Sequence, residues 1–124
     1  NMNLIELSLN WNNLKFLHDD QFIANRELKT LRLRGNQLKA VRKKFFVNNQ
    51  KLEWIDLAEN KIFFIDIKSF TSVALKFLDL RSNQCIYEWF DVAGNREGME
   101  KLIERNCHHW SGVNFLDVEE DLIN

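Results

Sequence analysis

The chain has no proline, four glycines and two cysteines among its 124 residues. No apolar run reaches 18 residues, which excludes a membrane-spanning helix of the usual length. A basic stretch followed by an apolar core, the mark of a signal peptide, is also missing. Because the sequence starts inside a repeated pattern, at NMNLIEL, we expect a mature fragment or trimmed domain with further repeats upstream. The missing targeting signal therefore says nothing about location.

An excess of charge of one sign is also missing, since 17 Lys/Arg face 18 Asp/Glu and the net charge is −1. This balance argues against nucleic acid as the main partner. The distribution is uneven, with 14 basic and 9 acidic residues in 1–84 against 3 and 9 in 85–124. The two parts of the chain are therefore expected to present surfaces of different charge.

What the sequence does contain is an internal repeat. Four stretches begin at positions 4, 28, 52 and 75, and they read LIELSLNWNNL, LKTLRLRGNQL, LEWIDLAENKI and LKFLDLRSNQC. All four fit the pattern L-x-x-L-x-L-x-x-N-x-L, with Ile allowed for Leu and with Cys85 in the last position of the fourth. A fixed period of 23 or 24 residues predicts a repeat architecture.

The middle of each repeat alternates apolar and polar residues, as in Leu31-Arg32-Leu33, which predicts a half-buried strand. The inward positions are Leu7, Leu9, Leu31, Leu33, Ile55, Leu57, Leu78 and Leu80. An asparagine follows at positions 12, 36, 60 and 83, where the chain must turn. Its amide can bond to the backbone of stacked repeats and satisfy polar groups that would otherwise lack partners. On the return side, Phe22, Phe46 and Phe70 recur every 24 residues and predict a stacked aromatic core.

With these motifs, residues 4–85 resemble the leucine-rich repeat family. The resemblance implies an α/β solenoid, with a curved parallel sheet on the concave face and irregular or short helical segments on the convex side. We assign residues 1–84 to this solenoid, with an open N-terminal end, and residues 85–124 to a C-terminal capping region. Such repeats bury their apolar faces only against neighbours, so each end of the stack needs a cap.

The predicted cap centres on one helix. The stretch after Cys85, IYEWFDVAGNREGMEKLIERNCHHW, has no strand motif. Asn95 is a good helix N-cap, and apolar residues follow at helical spacing, which predicts a helix over 96–107 lying across the exposed end of the last repeat. Glu97 and Lys101 form a favourable pair on its outer face.

The two cysteines bracket this helix, since Cys85 occupies an inward position and Cys107 falls on the apolar face. We favour a disulfide, which would join the helix to the last repeat, over two buried free thiols. A cap of this kind resembles those of extracellular leucine-rich repeat proteins, and the single bridge resembles secreted insect proteins of innate immunity. The resemblance implies a secreted or extracellular location.

Signs of catalysis are weak. Cys107, His108 and His109 are adjacent, yet neighbouring histidines seldom converge on one metal ion, and a histidine at a helix C-terminus is the simpler interpretation. His18 with Asp19 and Asp20 has no nearby nucleophile, and no phosphate-binding or nucleophile-elbow motif occurs. We predict no enzyme activity, no cofactor and no metal.

The outward strand positions carry the predicted partner site. They form three columns across the sheet: Glu6, Thr30, Trp54, Phe77; Ser8, Arg32, Asp56, Asp79; and Asn10, Arg34, Ala58, Arg81. Trp54 and Phe77 should be neighbours, and aromatic and arginine side chains are enriched at binding hot spots. For the two aromatics, a pair that only stiffens the sheet is the competing interpretation. Arg32 and Asp56 are equally well explained as a cross-strand ion pair.

The predicted function is thus a non-catalytic module that binds a protein partner through the concave face. Trp54 and Phe77 would anchor the partner, while Arg32, Asp56, Asp79 and Arg81 would set its register. The alternative is a structural element that forms homo- or hetero-oligomers through its N-terminal edge or its acidic tail, residues 113–124.

Overall fold

A computed structural model describes residues 3–71 and 74–108. In chain order the elements are β1 (Glu6–Ser8), β2 (Thr30–Arg32), β3 (Ala40–Val41), β4 (Trp54–Asp56), β5 (Phe64–Ile65), a 3₁₀ helix (Ile67–Phe70), β6 (Phe77–Asp79), β7 (Trp89–Asp91) and α1 (Arg96–Cys107). Two sheets result, one of five strands in the order β1-β2-β4-β6-β7 and one formed by β3 and β5. One mostly parallel sheet and one helix fit an α/β leucine-rich repeat arrangement.

The strands of the four repeats pair in parallel with the predicted register. Leu7 lies opposite Leu31, Leu31 opposite Ile55, and Ile55 opposite Leu78. These inward side chains are buried from the second repeat onward, whereas Leu4, Leu7 and Leu9 in the first repeat are only partly buried. The 24-residue period therefore sets both the strand pairing and the face that each side chain occupies.

The strand β7 corrects the sequence analysis, which found no strand motif after Cys85. It pairs antiparallel with β6, placing Asp79 opposite Trp89 and Phe77 opposite Asp91. Within β7, the half-buried Phe90 lies between the exposed Trp89 and Asp91, and the flanking residues Ile86 and Val92 are buried. The leucine motif misses it because β7 is short, antiparallel and built from aromatic rather than leucine residues.

The repeated asparagines bond between repeats, as the sequence predicts. In Asn60, Oδ1 accepts from the Leu38 N–H at 3.0 Å, while Nδ2 donates to the carbonyls of Leu33 at 2.9 Å and Leu57 at 3.0 Å. Asn36 and Asn83 make equivalent bonds. Each amide thus ties its own repeat to the preceding one through both of its polar atoms.

The return side is filled by the three predicted phenylalanines, which are buried, with Phe46 and Phe70 stacked 5.9 Å apart. A second asparagine, missed in the sequence analysis, lies beside them. Buried Asn49 donates to the carbonyls of Phe22 and Asn25, both at 2.9 Å. Its only sequence signal is the 24-residue spacing from Asn25.

The cap contains the predicted helix and the predicted disulfide. Asn95 accepts from the Gly98 N–H at 2.9 Å and begins α1, Lys101 lies 3.0 Å from Glu97, and Cys107 is bonded to Cys85. The helix α1 packs on β5 and the 3₁₀ helix of the third repeat, and its disulfide joins it to the fourth. The outer edge of β6, the strand of the fourth repeat, is covered by β7.

Candidate functional site on the open face of the sheet

The outward side chains of β1, β2, β4, β6 and β7 form the open face. Strand register brings Thr30, Trp54 and Phe77 into one column and Arg32, Asp56 and Asp79 into the next. Because β7 runs antiparallel, Asp91 continues the first column and Trp89 continues the second. The structure therefore places all six predicted partner-binding residues on the same face of the sheet, with Asp56 and Asp79 buried among their neighbours.

A row of aromatic rings crosses this face. The centroids of Trp54 and Phe77 lie 4.7 Å apart, and those of Phe77 and Trp89 lie 5.5 Å apart in a stacked arrangement. The Arg32 guanidinium sits over the other end of the row, 6.0 Å from the Trp54 ring. Trp54 and Phe77 are half-buried because their neighbours cover them, whereas Trp89 remains 42% exposed. We call Arg32, Trp54, Phe77 and Trp89 the aromatic row.

Trp89 is the site residue that the sequence analysis missed. The repeat motif assigned outward positions only within the four leucine-rich strands, and Trp89 follows them. The surrounding sequence gives only a weak signal, because Trp89 and Phe90 are adjacent and the charged Glu88 stands at an alternate position with Phe90 and Val92.

The charged residues beside the aromatic row form a closed network. Arg34 donates from Nε to Asp56 at 3.0 Å and from Nη2 to Asp79 at 2.8 Å. Arg81 donates to both oxygens of Asp79, at 3.0 and 2.7 Å. Asp56 and Asp79 are buried, with 6% and 4% of their surfaces exposed, while the two arginines remain partly accessible. The aspartates thus position two arginines at the surface.

One predicted pairing is corrected. Arg32 and Asp56 are cross-strand neighbours, as expected, but the ion pair does not form between them. Arg32 instead donates from Nε to Glu6 on the neighbouring strand β1, at 3.0 Å, and Asp56 accepts from Arg34. While it is bonded to Glu6, the Arg32 guanidinium also lies over the Trp54 ring, which adds a cation–π contact.

The network also changes proton affinities. Hydrogen bonding to Asp56 raises the pKa of Arg34 above its ordinary value, and hydrogen bonding to Asp79 does the same for Arg81. Burial by itself raises the pKa of Asp79, but hydrogen bonds from Arg81 and the charges of Arg81 and Arg34 outweigh it and lower that pKa. Asp79 is therefore held as a carboxylate, although it is buried.

The residues considered above for metal binding have other roles in the described part of the chain. Among residues 3–71 and 74–108, no three His, Cys, Asp or Glu side chains cluster closely enough to hold a metal ion. Cys107 is in the disulfide, and His108 is the C-cap of α1, with its ring 6.0 Å from Phe64. His109 lies outside the described residues. The same ranges contain no helix long and apolar enough to cross a membrane.

Comparison with known proteins agrees with the fold. A family model described as leucine rich repeat matches residues 26–84, just under half of the chain. A search of curated proteins found no match. The family match supports a leucine-rich repeat protein. Domains of this family are generally non-catalytic and commonly mediate recognition of other proteins.

Proposed function

We propose, from a chain whose central residues match the leucine-rich repeat family, that the protein is a non-catalytic recognition module. The stacked repeats would form a solenoid, and its open face would be the concave surface that binds a protein partner. The aromatic row is the observation that carries the proposal. It places three rings and a guanidinium in contact across four strands, and tryptophan and arginine dominate binding hot spots.

The charges around the row support selectivity more than affinity. Asp56 and Asp79 already have arginine partners, so a ligand would meet Arg34 and Arg81 rather than the buried carboxylates. Arginines held in fixed positions by buried aspartates can bind carboxylates with little loss of side-chain entropy. Asp56 and Asp79 would therefore set the register of the partner indirectly, through the arginines that they orient.

The disulfide supports an extracellular location, because such bonds persist mainly in oxidising compartments. A role in host defence, like that of the secreted insect proteins that the cap resembles, is part of this proposal. A thiol count on the native protein, unfolded without reductant, tests the location. Two free cysteines would contradict it.

The binding proposal is tested with Trp54→Ala and Phe77→Ala. The chain is screened against a panel of extracellular proteins, and the affinity for any partner is measured for each variant. A hot-spot residue costs about 2 kcal/mol or more, so we expect at least a roughly thirty-fold loss of affinity. Val47→Ala is the matched control, because Val47 is 47% exposed and lies on the return side. Unchanged affinity in both folded aromatic variants would reject the open face as the binding surface.

A second candidate function is assembly through the first strand. Ile5 is exposed beside β1, and Leu7 and Leu9 there are only partly buried, which leaves an apolar edge. The acidic residues 113–124, the other predicted contact, lie outside the described residues. Measuring molecular mass across protein and salt concentration separates the two functions, because assembly requires a mass that rises with concentration.

A further inference from the structure

The aromatic row has two ends that differ in one respect. At the β2 end, the order of groups is carboxylate, guanidinium, indole: Glu6 binds Arg32 at 3.0 Å, and Arg32 covers Trp54. This arrangement satisfies the outer face of the indole with a cation, and the cation with an acid. All three groups come from the chain itself.

At the β7 end, the indole and the carboxylate are present, but no cation among residues 3–71 and 74–108 lies over the Trp89 ring. Trp89 stacks one ring face on Phe77 and is 42% exposed. Asp91 lies two residues further along the same strand, so its side chain leaves the sheet on the same face. Its Oδ1 accepts from the Gly94 N–H at 3.3 Å, and among the described residues Oδ2 has no donor.

The basic side chains on either side of this position have other partners. Residues 82–95 contain no lysine or arginine, and Arg96, which follows them, donates to the Phe70 carbonyl and lies 3.6 Å from Glu100. Arg81, two residues beyond the end of β6, has both Asp79 oxygens as partners. The β7 end of the open face is thus an exposed indole beside a carboxylate with an available oxygen.

We propose that Trp89 and Asp91 bind an arginine side chain of the protein partner, completing at β7 the arrangement that Arg32 completes at β2. Arginine fits better than lysine, because its planar guanidinium stacks on an indole while its N–H groups reach a carboxylate. This inference rests on the proposed function and specifies one chemical group that the partner must present.

The test uses a peptide, acetyl-Gly-Arg-Gly-amide, in place of the unidentified partner. The indole N–H signal of Trp89, identified as the signal lost in Trp89→Leu, is followed by NMR during titration. The matched peptide carries citrulline, which has nearly the shape of arginine without its charge. We expect a saturable shift with the arginine peptide and a much weaker response with citrulline.

Two variants assign the contact. Asp91→Asn keeps the oxygen that accepts from Gly94 and removes the charge, so it should weaken arginine binding about two- to five-fold, as expected for a partly exposed ion pair. Trp11→Leu should leave binding unchanged, because Trp11 is more exposed than Trp89, at 65%, but lies on the first repeat. In the wild type, added salt should weaken the binding of the arginine peptide and leave the response to the citrulline peptide unchanged.

Equal responses to the two peptides would overturn the proposal. So would an Asp91→Asn variant that binds the arginine peptide as tightly as the wild type does, if salt has no effect on binding to the wild type. These outcomes are separate from the test of the open face. A partner that Trp54→Ala releases and Asp91→Asn does not affect would retain the proposed function and remove the arginine site.

Discussion

The residue before each repeated asparagine has a left-handed backbone. The φ angles are 60° at Trp11, 71° at Gly35, 55° at Glu59 and 59° at Ser82. This conformation costs a residue with a side chain about 1–2 kcal/mol, and glycine avoids that cost. Only the second repeat uses glycine. There the Trp11 ring lies against the glycine Cα, in the space that a Cβ would occupy.

Gly35→Ala should therefore destabilise the protein for two reasons, the backbone conformation and the collision with Trp11. We expect a loss of at least about 1–2 kcal/mol in the free energy of unfolding, measured by urea titration. In a Trp11→Ala background the loss should be smaller, because the ring is gone. Gly94→Ala serves as the control, since that glycine is not left-handed. Equal losses in both backgrounds would show that the ring does not matter.

Asp79 provides a prediction for pH. Because its pKa is lowered in the folded state, the carboxylate stabilises the protein above the ordinary aspartate pKa of about 3.9, and that stability disappears as the pH falls through the lower folded value. Asp79→Asn should flatten this acid dependence and reduce stability at neutral pH. Unfolding titrations from pH 2 to about 7 measure both effects. Glu6→Gln, at an exposed ion pair, should change the curve little.

At the scale of elements, the helix α1 is attached at both ends. Arg96 donates to the Phe70 carbonyl at 3.1 Å near its start, and Cys107 is bonded to Cys85 at its end. Met99 and Ile103, between these points, are buried against the core. Helix and disulfide therefore close the same end of the core.

Reduction of the disulfide should lower the free energy of unfolding by about 3 kcal/mol, from the loop of 22 residues that it closes. The measurement compares unfolding with and without reductant, in the wild type and in a Cys85→Ala/Cys107→Ala double variant. The double variant should not respond to reductant. A wild type that loses no stability on reduction would show that packing alone holds α1.

The elements also show what sequence can predict. The strands of the four repeats, their register and the bonding of Asn60 follow from a period that is local and repeated. The strand β7 does not follow, because it lies outside the repeats and pairs antiparallel with β6, which the leucine spacing does not predict. The partner of Arg32 could not be predicted for a different reason. Its long side chain has an acidic residue on each neighbouring strand, Glu6 and Asp56, and strand spacing alone does not show which one it binds.

At the scale of the whole molecule, the repeats stabilise one another through layers that run along the stack. The open face has the aromatic row, the turns have the asparagines, and the return side has the buried phenylalanines. A repeat buries its apolar face only against its neighbours, so damage to a central layer should affect the entire stack.

Phe46→Ala tests this dependence, because Phe46 lies between Phe22 and Phe70 in the repeat order and is fully buried. We expect a loss of about 3–5 kcal/mol in the free energy of unfolding. Val47→Ala, at the exposed adjacent position, should change stability by less than about 0.5 kcal/mol. Similar small losses in both variants would argue against a continuous core.

The antiparallel strand β7 has a consequence for building new proteins. The bonds described for the cap reach back only a short way: Leu80 donates to Glu88, Asn83 to Ile86, Cys85 to Ile62 and Arg96 to Phe70. All of these anchor points lie in the third and fourth repeats. Because these bonds reach only the third and fourth repeats, we expect the cap to close designed arrays with any number of 24-residue units placed upstream of residue 52.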